Sequence, residues 1–205
     1  IGLFSLPQRA KAPCHVFPES HAFDESEIAA LMKGCERATI FLAPTMLNRF
    51  VAHPSASGMP VECVRTVIYG GAPMYLEDLK RALQRFGPRL CQLYGQGESP
   101  NTITYVSKAL HADTGHPRYE ARLATVGIPR TGIDVKVADD SGRELPAGEI
   151  GEVLVRSEMT MAGYWNDPAA SEKALAGGWL HTGDLGCFDD EGFLTLKDRS
   201  KDIII

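Results

Sequence analysis

The chain has 205 residues, 44% hydrophobic and 23% charged, with a net charge of −5. That is an ordinary soluble globular composition, long enough for one large domain or two small ones. An acidic chain with no lysine- or arginine-rich run argues against a nucleic-acid or anionic-membrane partner, and no apolar run approaches the roughly 20 residues of a transmembrane segment.

"CHVF" (Cys14 to Phe17) reads as a short strand. "FDESEIAALMKG" predicts a helix: Asp24 can cap it, Glu27 follows three later as in a capping box, Ile28, Leu31 and Met32 share one face, and Gly34 ends it. "ATIFLAP" is a buried strand ended by Pro44. A helix over Thr45 to His53 and a loop over Pro54 to Pro60 follow. "VRTVIYGGAP" is a strand running into glycines. "YLEDLKRALQRFG" carries Leu76, Leu79, Leu83 and Phe86 at helical spacing, and "RLCQLYG" is the next strand. Short apolar strands alternating with helices predict a parallel sheet covered by helices.

After about Ala121 the pattern changes to a period of two in "GIDVKVADDSGRELPAGEIGEVLVRS", with turns at "DDSG" and "PAGE". This predicts antiparallel sheet, a small barrel or curled sheet. A short helix from Pro168 to Leu175 and a hairpin in "GWLHTGDLGCFDDEGFLTLKDR" complete the chain, and Trp165 and Trp179 are expected to pack this part. The fold class is therefore α/β: a parallel-sheet subdomain over residues 1–120, then a small antiparallel β-barrel-like subdomain over 121–198. The chain opens on "IGLFSLP" without methionine and stops in the apolar run "KDIII", so both ends are expected to be boundaries of a fragment.

The five scattered cysteines form no CxxC pair and read as buried thiols of a reducing compartment; a cytoplasmic location is expected. His111 and His116, five apart around Gly115, suggest a loop rather than a metal site. Cys91, in a strand, reads as core rather than nucleophile.

Two glycine-rich turns, "YGGAPM" and "YGQGES", lie at the carboxyl ends of strands, where parallel sheets bind ligands. Glycine lets backbone approach a flat ligand. The first turn taken alone reads first as a plain strand-to-helix turn, with Pro73 opening the helix. In the second, Glu98 would repel a phosphate unless a cation stood between, and Mg²⁺ bridging a carboxylate to substrate phosphates meets that need. Tyr94 could present its ring to a base. In "LHTGDLG", Asp184 could accept both hydroxyls of a ribose, or simply bond its own turn.

Taken in order, "YGGAPM", "QLYGQGES", "GEIGEVLVRSEMTMAGYW", "GWLHTGDLG" and "LKDRSKDIII" resemble the adenylate-forming superfamily over nearly the whole chain, and its acyl-CoA synthetase branch in wording. The resemblance implies that Gly70, Gly71, Ala72 and Pro73 line the adenine and acyl side of a pocket, and that Gln92 and Tyr94 flank the adenine. It implies that Gly95, Gln96 and Gly97 surround the α-phosphate and carboxylate. Asp184 and Arg199 would hold the ribose. Glu98, as Mg²⁺ ligand, and Lys201, at the family's hinge, are the catalytic candidates, and the helix from Thr45 would wall the acyl pocket. The implied reaction joins a carboxylic, fatty acid to CoA through acyl-AMP, with ATP, Mg²⁺ and CoA. The alternatives are a non-catalytic nucleotide-binding module and an aryl- or amino-acid-adenylating ligase. Residues 199–205 would form the hinge to a lid domain carrying a catalytic lysine, and a lysine-ended phosphate loop would precede residue 1, so the 205 residues alone are expected to be inactive. A homo-oligomer fits the apolar surface that a partial sheet would leave. Gly97 departs from the family, which has threonine there; a lost hydrogen bond to phosphate would weaken binding by roughly 1.5–3 kcal/mol.

Overall fold

The computed structural model describes residues 14–100 and 103–199. Two sheets form its frame. The first has five strands in the order β1 (Ala38–Leu42), β2 (Val64–Gly70), β3 (Leu90–Tyr94), β4 (Thr104–Val106) and β5 (Ile128–Pro129). The expected parallel sheet is present in β1, β2 and β3, and two short antiparallel strands extend it. The second sheet is an antiparallel meander of β6 (Asp134–Ala138), β7 (Gly151–Arg156), β8 (Leu180–Phe188) and β9 (Leu194–Arg199). The change of sheet falls between Pro129 and Asp134, later than the change of sequence pattern near residue 120.

Helices α1 (Glu25–Lys33), α2 (Pro44–Ala52), α3 (Pro54–Ser57) and α4 (Leu76–Phe86) belong to the first sheet. Asp24 caps α1 by accepting from the Glu27 amide at 2.8 Å. The capping box is only half made, because the Glu27 carboxylate turns outward to the Glu19 amide and to Ser20. The stripe on α4 buries Leu79 and Phe86, and Phe86 stacks on Phe50 of α2 with centroids 6.3 Å apart. Burying each such side chain contributes about 1.5–3 kcal/mol. Two small helices follow β4, α5 (Lys108–Ala112) and α6 (Tyr119–Leu123), and α7 (Pro168–Ala174) precedes β8.

Four expectations are corrected. Cys14 to Phe17 form no strand and lie exposed, since Pro13 and Pro18 bracket the run and no described strand stands beside it to take its hydrogen bonds. Part of Pro54 to Pro60 is helical rather than loop. His111 is not in a loop: it lies in the last turn of α5, fully buried. Trp165 does not pack the β part but is 91% exposed; only Trp179 packs, between the cations of Lys136 and Arg156, each 4.5 Å from its ring centroid. All five cysteines are free; Cys63 is buried, Cys14 is exposed and the others are half-buried.

Candidate nucleotide site

The site begins where β2 and β3 end side by side. Their register pairs Tyr69 with Gln92 and Gly70 with Leu93, so both glycine-rich turns leave the same sheet edge. Gly70 is required by the sheet itself: a Cβ there would stand 2.2 Å from the Leu93 carbonyl oxygen. Gly71 has φ +82°, a left-handed conformation that turns the chain out of the strand. Beyond the turn a cleft of about 730 Å³ opens. Gly71, Ala72, Pro73, Gln92, Tyr94, Gly95 and Asp184 line it, together with Tyr69, Leu123–Val126 and Lys197.

Asp184 comes from the second sheet, through an irregularity in β8. Glu152 pairs with Leu185 and Leu154 with His181, so Thr182, Gly183 and Asp184 stand opposite Val153 alone. Such bulges bend a strand and re-aim its side chains. Here the bulge delivers a carboxylate, 5% exposed, to the end of the QLYGQGE segment. The Tyr94 hydroxyl donates to Asp184 Oδ2 at 2.6 Å and Gln96 Nε2 donates to the same oxygen at 2.7 Å. Gln96 Nε2 also reaches the Thr182 carbonyl at 2.8 Å. Gln96 thus joins the site as a tether to Asp184 and Thr182 rather than as a lining residue. The register of β8 and β9 sets Arg199 opposite Asp184. A second irregularity, between Leu185 and Gly186, leaves Lys197 unpaired in that ladder, at the cleft.

Gln92 is 7% exposed, lines the cleft and carries a side-chain oxygen with no hydrogen-bond partner. A buried acceptor of this kind costs about 1–3 kcal/mol until a donor meets it. Glu98 and Gly97 stand outside the lining. The Glu98 carboxylate accepts from the Tyr164 hydroxyl at 2.6 Å, and its carbonyl accepts from the Met161 amide at 2.8 Å. The bond to the carboxylate raises the Tyr164 pKa, since the phenolate would face a second negative charge.

The AMP-binding enzyme family matches residues 5–165. The chain belongs to that family. It is 35% identical over 183 residues to the medium/long-chain-fatty-acid–CoA ligase FadD8 of Mycobacterium tuberculosis, covering 89% of this chain and 31% of that protein. Feruloyl-CoA synthase of an Amycolatopsis species is 31% identical over 205 residues, covering 100% of this chain and 40% of the synthase. Among solved structures, the amide bond synthetase McbA of Marinactinospora thermotolerans superposes with a TM-score of 0.80 at 38% identity, over 91% of this chain and 36% of McbA. The chain spans about a third of the length of these relatives.

In this member of the AMP-binding enzyme family the cleft gathers Gly71, Ala72, Pro73, Gln92, Tyr94, Gly95 and Asp184 from the sequence-derived set, with Gln96 bonded to Asp184. Gly70 serves the strand pairing, Gly97 and Glu98 are not among the cleft-lining residues, and Lys201 lies outside the described residues. Sequence reasoning missed Tyr69, Lys197 and the 123–126 segment. Tyr69 carried a signal as the last side chain before the glycine pair, and Lys197 as part of "LKDRSKDIII". Its hydroxyl meets His111 Nε2 at 3.1 Å, while His111 Nδ1 stands 2.7 Å from the Ser107 carbonyl. A carbonyl only accepts, so Nδ1 carries the proton and Nε2 accepts from Tyr69. Burial lowers the His111 pKa and raises that of Tyr69, keeping both neutral. Burial also raises the Cys91 thiol pKa, which lowers its thiolate fraction. No group of three or more His, Cys, Asp or Glu side chains suited to a metal occurs among the described residues, and no described helix is long and apolar enough to cross a membrane.

Proposed function

We propose that this chain forms the adenosine-binding part of an ATP-dependent acid–CoA ligase. The observation that carries the reading is the convergence on Asp184: a carboxylate at the cleft, gripped by Tyr94 and Gln96 from the glycine-rich loop about ninety residues earlier. Asp184, with Arg199 opposite it, would hold the ribose. Gln92 and Tyr94 would flank the adenine, beside the Gly71–Pro73 turn. Mg²⁺ would be held by Glu98 together with substrate phosphates, a coordination that needs only one or two carboxylates; when bound it neutralises phosphate charge. For that role Glu98 would exchange its Tyr164 hydrogen bond for the ion.

In the proposed reaction the acid's carboxylate attacks the α-phosphorus, pyrophosphate leaves, and the thiol of CoA then displaces AMP from the acyl-adenylate. The contribution of these residues is positioning and exclusion of water, the main demand of phosphoryl chemistry. Lys197 is the one cation lining the cleft among the described residues, so the 205 residues alone are proposed to bind nucleotide without turnover.

The acid is proposed to be a fatty acid, as the name of the Mycobacterium tuberculosis relative suggests. A second reading, an aryl acid, is suggested by the name of the feruloyl-CoA relative. Acid-dependent ATP–pyrophosphate exchange by the full-length protein, across fatty and aryl acids, tests both. Exchange with one class assigns the acid. No exchange with any acid in the panel would sink the ligase reading in favour of a nucleotide-binding module.

A further inference from the structure

One side chain from the neighbouring strand ties two points of the bulge that aims Asp184. Glu152, on the neighbouring strand β7, bridges it with both carboxylate oxygens. Oε1 accepts the Gly183 amide at 2.9 Å, and Oε2 accepts His181 Nδ1–H at 2.8 Å. The rest of the bulge is secured locally: the Thr182 hydroxyl donates to the Val153 carbonyl at 2.7 Å and receives the Asp184 amide at 3.1 Å. Gly183 has φ +70°, so the turn depends on a left-handed residue whose N–H must find an acceptor off the ladder. Glu152 supplies that acceptor. It lines no part of the cleft.

We infer that Glu152 is a positioning residue for nucleotide binding, acting only through Asp184, with His181 as its second anchor. This rests on the nucleotide reading of the cleft. Without Glu152, Gly183 N–H and His181 turn to water, the three-residue bulge loses its fixed shape, and the Asp184 carboxylate leaves the point where Tyr94 and Gln96 meet it.

The test is titration of Mg–ATP into the full-length protein, comparing wild type, Glu152→Ala, Glu152→Gln, Asp184→Ala and the Glu152→Ala/Asp184→Ala pair. Two charge-assisted hydrogen bonds are lost in Glu152→Ala, and its ATP affinity is expected to fall about tenfold. In the Asp184→Ala background the same change is expected to have no further effect, since residues acting as one unit are non-additive. Glu152→Gln keeps an acceptor for Gly183 and is expected to stay within about threefold of wild type. Where an acid substrate is known, the KM for ATP rises and the KM for acid does not. Wild-type affinity in Glu152→Ala, multiplying losses in the pair, or equal losses in Gln and Ala would each overturn the inference. Failure of the wild type to bind ATP would instead overturn the nucleotide reading itself.

Discussion

At Gly97 a Cβ would meet no atom within 4 Å, and the residue is not in the left-handed region. Gly97→Thr is therefore expected to fold as the parent does. If the hydroxyl reaches a phosphate, ATP binding tightens by roughly 1.5–3 kcal/mol; calorimetric titration of both proteins reads the difference, and an unchanged affinity would remove phosphate binding from this position. The buried Tyr69–His111 pair sets a pH dependence. In the unfolded chain the imidazole takes up a proton near pH 6.5, whereas the folded ring, lowered by burial, resists until a lower pH. In that interval the unfolded state binds more protons, so stability is full above about pH 6.5 and falls as pH drops towards the folded value. Urea midpoints at several pH values should show this slope, and His111→Gln should flatten it. Neither residue's partner could be read from sequence: Tyr69 and His111 are 42 positions apart.

At the level of elements, Gly70 shows that a motif glycine can serve the sheet rather than the ligand. Gly70→Ala puts a methyl group 2.2 Å from the Leu93 oxygen and must push β2 and β3 apart. The expected cost is about 1–3 kcal/mol, as for other overpacked sites. Gly71→Ala, in open space, acts only through its positive φ and is expected to cost about 1 kcal/mol. Thermal or denaturant unfolding of the two variants ranks them; equal losses would refute the distinction. On α4, Leu79→Ala empties a fully buried position and is expected to cost about 2–5 kcal/mol. The elements themselves were largely legible. The leucine spacing of α4, Asp24 before α1 and Pro44 at the start of α2 are local features, and local features set local structure. The strand expected at Cys14 failed because a strand needs a neighbour, which no local pattern supplies.

Over the whole molecule, the two sheets are joined rather than strung together. Val126 N–H donates to the Leu194 carbonyl and Leu194 N–H to the Gly127 carbonyl, both at 2.8 Å. Tyr94 and Ile103 of the first sheet's region pack in the core of the second. Arg118 and Arg122 reach Asp189 and Glu191 at the β8–β9 turn, and Arg122 also covers the Phe193 ring. The backbone and apolar links are expected to make the two sheets unfold in one transition. Removing both arginines should lower the midpoint modestly, and less so in high salt. A split into two calorimetric transitions would show that the ion pairs carry the coupling.

The sequence by itself determined the alternation of helix and strand from α1 to β3, the change from helical to two-residue periodicity, and the five motifs whose succession marks the family, because each is a property of contiguous residues. It placed Gly71, Gln92, Tyr94, Gly95 and Asp184 among the candidate residues, and these line one cleft. Only the tertiary structure decided that Gly70 belongs to the sheet, that Gln96 binds Asp184 rather than lining the cleft, that Glu98 rests on Tyr164, and that Glu152 fastens the bulge. Each of those depends on strand register and on side chains tens of residues apart, and a one-residue slip in register would change every one of them.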